Sequence, residues 1–127
     1  ILLGEPNGMW TVYVAERHTL GELTVDAAVA DALRAKAQQH FLSEHATLVA
    51  LLSDWDLAVN YYQNPLCLML RDGGVLFGHA ALVAAALGLS FRILGSTGTP
   101  FTERLVSNIS FKPTAVGLAW IGRAHAD

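Results

Sequence analysis

The chain has 127 residues, enough for one domain around one core. Hydrophobic residues make up 53% and charged residues only 15%, with eight Lys+Arg against eleven Asp+Glu and a net charge of −3. These totals exclude a basic nucleic-acid-binding surface, and the single cysteine, Cys67, excludes an internal disulfide.

So little charge leaves too little polar surface for a lone small globule, which predicts a partner or ligand over part of the apolar surface. One cysteine and no evident signal peptide predict a reducing, cytoplasmic location. The first residue, Ile rather than Met, predicts a chain whose start is missing or processed.

Residues 1–8 are apolar, then turn-like at Gly4, Pro6, Asn7 and Gly8. Residues 9–16 are rich in β-branched and aromatic side chains and predict a strand. A connection containing Gly21 follows over 18–24, with Thr24 as N-cap of a helix over 25–40. Val25, Ala28, Val29, Ala32 and Leu33 recur there at helical spacing, with Asp26 and Asp31 early and Arg34 and Lys36 late.

The continuous apolar run 46–52 predicts a buried strand. Residues 53–63 form a short helical segment, which Asn64-Pro65 breaks. Residues 66–89 read as one long helix, or a helix after a short turn. Gly73-Gly74 weakens it by about 1 kcal/mol per glycine relative to Ala. Its apolar stretch 75–89 falls short of the ~20 residues a spanning helix needs, so it reads as a buried core helix rather than a membrane segment. A strand over 90–94 and a polar loop over 95–100 come next. Thr102 is then the expected cap of a short helix over 103–106, and the last strand covers 114–122. With no internal repeat or linker, the chain reads as one α+β domain.

CxxC, HExxH, P-loop and GxSxG motifs are all absent. His40 and His45 are five apart, where a metal pair on one helix face wants four, and they read as exposed helix-end residues; no metal is expected. Cys67, among Leu66, Leu68 and Met69, reads as a small core residue rather than a nucleophile. Asp54 and Asp56 flank Trp55 and suit a solvated helix start better than a catalytic pair. Trp10, Trp55 and Trp120 read as core, with one or two at a subunit seam as the alternative.

The order of elements from Asn60-Tyr61, through Arg71-Asp72-Gly73-Gly74-Val75 and the alanine-rich segment ending Leu87-Gly88-Leu89, to Gly95 resembles the nitroreductase-like flavoenzymes. Within that family the likeness is to the azoline-oxidase (SagB-type) branch. The opening Pro6-Asn7-Gly8-Met9-Trp10 and the last strand ending at Gly122 fit the same order. The resemblance implies a single nitroreductase-like domain over residues 1–127, equivalent to the C-terminal two-thirds of the full fold. In that fold a central, mostly antiparallel sheet is flanked by helices, and the subunits form an interface-sharing dimer.

The resemblance also implies FMN as cofactor and an oxidoreductase that dehydrogenates a peptide-derived substrate in natural-product biosynthesis, converting an azoline to an azole or oxidising a Cα–Cβ bond. Tyr61 and Asn60 would be the catalytic pair, Tyr61 for proton transfer and Asn60 for positioning. Asn7, Gly8, Gly74, Gly95, Ser96 and Arg123 would bind the cofactor: glycine loops offer N–H groups and close approach, and Arg123 meets a phosphate. Each of these also has an ordinary structural reading as turn, packing or solvated residue.

Two departures from the family matter. Asn60 stands where the family has a lysine, and an asparagine can only hydrogen-bond. Val75 stands where it has a histidine. Beside these two, the resemblance leaves the family's phosphate-holding arm expected to be missing. These departures carry two alternatives: a non-catalytic nitroreductase-like subunit serving as scaffold in a larger complex, or an NAD(P)H-dependent nitro or quinone reductase. Expected partners are a second copy or a different subunit and a peptide or small-molecule substrate, with no nucleic acid and no membrane.

Overall fold

The structure, a computed structural model, describes residues 1–40, 45–106 and 110–123. The elements are β1 (Leu2–Gly4), β2 (Trp10–Val14), a 3-10 turn (Ala15–Arg17), β3 (Thr19–Glu22), α1 (Ala27–Gln38), β4 (Thr47–Asp54), α2 (Trp55–Tyr61), α3 (Pro65–Ala86), β5 (Leu89–Ile93), α4 (Phe101–Arg104) and β6 (Pro113–Arg123). The strands form one six-stranded sheet in the order β3-β2-β1-β4-β6-β5, with every pairing antiparallel. The architecture is α+β, as the element pattern predicts.

β4 lies at the centre of the sheet with β6 beside it, and both are covered on both faces, which is why 46–52 reads as an unbroken apolar run. Leu48, Ala50, Leu118 and Trp120 point to one face and meet Leu33 and Ala37 of α1 and Leu105 and Val106 beside α4. Val49, Leu51 and Ala119 point to the other and meet Phe77 of α3. The register shifts between Leu51 and Leu52, where β6 carries one extra residue. This bulge turns both Val116 and Gly117 toward α3. A Cβ on Gly117 would come within 2.5 Å of the Phe77 ring, and one on Gly73 within 3.2 Å of Val116. Two glycines, one on each partner, therefore set how closely α3 lies on β6.

Several expectations change. Thr24 is not the cap of α1: the helix starts at Ala27, and Asp26 Oδ1 accepts from Ala28 N (2.8 Å) and Val29 N (3.3 Å). Thr102 is not a cap either. It lies inside α4, fully buried, and its hydroxyl donates to the Thr97 carbonyl. Residues 19–22, expected as connection, form β3 because β2 supplies a ladder partner from Thr11 to Val14. Cys67 is exposed rather than core, because it sits on the outward side of α3. Most importantly, α3 is not a buried helix: only Met69, Gly73, Phe77 and Ala84 are buried along its length.

Candidate functional site

The described residues enclose an apolar cleft of about 400 Å³ on the α3 face of the sheet. That volume suits a small-molecule ligand. Leu51, Met69, Gly73 and Val116 line it together with Leu52 and Leu76. The bulge on β6 aims Val116 into it, and Gly73 leaves the room. Tyr61 and Tyr62 stand at its rim and are exposed.

The polar groups of the cleft come from the β4–α2 junction and from α3: Ser53, Asp54 and Asp72. Asp54 Oδ1 caps α2 by accepting from Leu57 N at 3.1 Å. Asp72 Oδ1 accepts from Arg71 Nε and Nη2, both at 3.1 Å, in an ion pair that solvent reaches freely. Among the described residues, no Lys or Arg lines the cleft. Asp56, the other carboxylate flanking Trp55, accepts from Lys112 N and ties α2 to the start of β6.

The residues expected from the sequence do not meet at one place. Tyr61 is at the cleft, but Asn60 Nδ2 donates back to the Asp56 carbonyl at 2.8 Å, as an ordinary helix-surface contact. Asn7 and Gly8 make the β1–β2 turn, where Asn7 Oδ1 accepts from Met9 N and Gly8 has φ +88°. That turn follows Gly4, which pairs with Leu48, whereas the cleft lies at the Asp54 end of the same strand. Gly74 faces outward from α3 with open space around it; Gly73 makes the close approach instead. Gly95 is exposed, and Ser96 Oγ accepts from Gly98 N within the loop before α4, on the α1 side. Arg123 ends β6 about 20 Å along the strand from Val116.

These positions decide how a flavin would fit. The apolar walls suit its ring. Its phosphate needs cations or a free helix N-terminus. The cleft offers two carboxylates instead, and the N-terminus of α2 is already capped by Asp54. The side chains that line the cleft therefore fit the ring of FMN but supply no cation for its phosphate. Among the described residues, no three His, Cys, Asp or Glu side chains come together as a metal site.

The outer face of α3 carries no motif that a sequence search would find. Leu82 is 72% exposed, and Val75 and Val83 are exposed as well. Leu82 lies about 180° round the helix from Gly73, with Val75 within about 20° of it. Gly74 and Gly78 form a flat strip beside this ridge, open for at least 4 Å. The only formal charges on α3, Arg71 and Asp72, bond to each other. The signal for this face was present in the sequence as a helix apolar on every side. α3 is also long and apolar enough to cross a membrane, with 17% of its most apolar stretch buried, although Gly73 and Phe77 dock it on the sheet. No protein-family model, curated protein or solved structure matches the chain.

Proposed function

We propose that this chain is an assembly subunit of nitroreductase-like fold that pairs with a second copy through the outer face of α3. The single observation that carries this reading is the uncovered apolar side of that helix. Its outward residues Val75, Leu82 and Val83 are all more than half exposed apolar side chains, a face of the kind that a partner covers. A two-fold pairing lays the Val75/Leu82 ridge of each copy in the Gly74/Gly78 strip of the other, as a self-complementary interface requires. The mutual Arg71–Asp72 pair keeps the face free of net charge.

Sedimentation of the purified chain checks this: a dimer is expected at micromolar concentration, and Leu82→Glu should return it to monomer. A wild-type chain that stays monomeric at high concentration sinks the reading. A chain that leaves solution unless detergent is present points to a membrane instead.

The second reading, an FMN-dependent oxidoreductase, is favoured by the ring-sized apolar cleft beside the Tyr61 phenol. Bound flavin supplies hydride acceptance, and Tyr61 is the residue of this chain placed to move a proton at the cleft rim. Its substrate would be peptide-derived, or in the reductase variant a nitro compound or quinone with NAD(P)H. The phosphate would have to be held by a second chain. Absorbance in the blue after incubation with FMN tests this reading, and a colourless protein rules it out.

A further inference from the structure

The cleft between α2 and α3 has a charge character that neither reading above uses. Its walls are apolar, its charged side chains are Asp54 and Asp72, and among the described residues no Lys or Arg lines it. Two exposed phenol rings, Tyr61 and Tyr62, stand at its rim. We propose that this cleft binds a small molecule with an apolar or aromatic body and one ammonium group, the body between Leu51, Met69 and Val116 and the cation at Asp54.

Each alternative charge type is disfavoured by the same side chains. An anion entering here meets the Asp54 carboxylate, with no Lys or Arg lining the cleft beside it, in a site that excludes part of the water and so strengthens the repulsion. A neutral ligand gains the apolar contacts but leaves the Asp54 carboxylate unmatched. An ammonium gains the contacts, the attraction of Asp54, and the faces of the rim tyrosines. Asp54 matters more than Asp72, because Asp72 is solvent-exposed and already held by Arg71. Asp54 is less exposed and spends one oxygen, Oδ1, on its cap bond to Leu57 N. The cleft is of a size for an arylalkylamine, well above that of a bare ammonium ion.

The test uses three probes of one shape: 3-phenylpropylamine, 3-phenylpropan-1-ol and 3-phenylpropionate, each titrated into the labelled chain and followed by backbone amide shifts. The amine should move amides of residues 51–58 and 68–76 and bind about tenfold more tightly than the carboxylate, with the alcohol between them. Asp54→Asn keeps an oxygen acceptor for the α2 cap and should cut the amine's advantage about fivefold. Asp72→Asn, at an exposed position, should cut it by less than half. The proposal is overturned if the carboxylate binds as well as the amine, if no probe moves cleft amides, or if Asp54→Asn leaves the ratio unchanged. Dimer formation is read separately by sedimentation, so failure of this proposal and failure of the assembly reading are told apart.

Discussion

The two faces of the sheet are fed by alternate residues of the same strands, yet they end in different conditions. On one face Leu33, Leu48 and Leu118 have no exposure at all, and Trp10 and Trp120 complete a closed core. On the other, the buried cluster is only Val49, Leu51, Phe77 and Ala119. The strands do not cause this difference; the helices do. α1 is amphipathic, with Asp31 and Ala35 exposed and Ala30, Leu33 and Ala37 toward the core. Arg34 reaches from α1 to the Gly4 and Glu5 carbonyls at 2.9 and 2.8 Å and lies over the Trp120 ring. Burial lowers the pKa of its guanidinium, and Asp31 and Glu5 offset part of that. α3 is apolar on both sides, so packing one side leaves the other uncovered. A face that is closed by its own chain serves stability. A face that stays apolar and open calls for something else to cover it.

The sharpest way to test this comparison is substitution on the closed face. Leu33→Ala removes a fully buried side chain and should cost about 3 kcal/mol in denaturant unfolding. Next in size is Gly98→Ala. Gly98 has φ +85°, and its missing Cβ is where the Thr102 hydroxyl sits, with Leu33 and Leu118 behind it. Left-handed strain and overpacking together should cost about 2 kcal/mol, again read by unfolding. Asp26→Ala removes the two cap bonds of α1 and should cost about 1 kcal/mol. All three lie on the closed face or its helix. Their summed effect measures how much of the fold rests there.

What was legible in the sequence follows the same division. The central strands, α1 and the long helix declare themselves through apolar runs and helical spacing, which are local signals. β3 does not, because Thr19–Glu22 becomes a strand only through its pairing with β2. Thr24 is the cap that the sequence suggests, and only the chain path into Ala27 gives the role to Asp26 instead. At the candidate site Tyr61 was legible only through the family resemblance, and the fold puts it at the cleft rim. Val116 was not legible, since it enters the cleft only because a bulge on β6 turns two successive residues the same way. The wide spacing of Asn7, Asn60, Gly95 and Arg123 in the fold was also beyond the sequence, because element order alone does not say which strand ends lie together.

The smallest expected effect separates the two faces most cleanly, because its two consequences differ in sign. Gly74 and Gly78 lie inside α3, and a Cβ on either meets nothing within 4 Å. In an isolated chain, Gly74→Ala should therefore stabilise the helix by about 0.5–1 kcal/mol, since alanine loses less backbone freedom than glycine. If a second copy lies on this strip, the added methyl holds the two helices apart and loosens their ridge-in-strip packing. Gly74→Ala should then raise the unfolding midpoint of dilute, monomeric protein while weakening dimer formation in sedimentation. Gly73→Ala is the control one residue away. Its Cβ comes within 3.2 Å of Val116, so strain against β6 offsets its helix gain without touching the outer face. A Gly74→Ala dimer as strong as the wild-type dimer would place the contact elsewhere and leave the strip as mere surface.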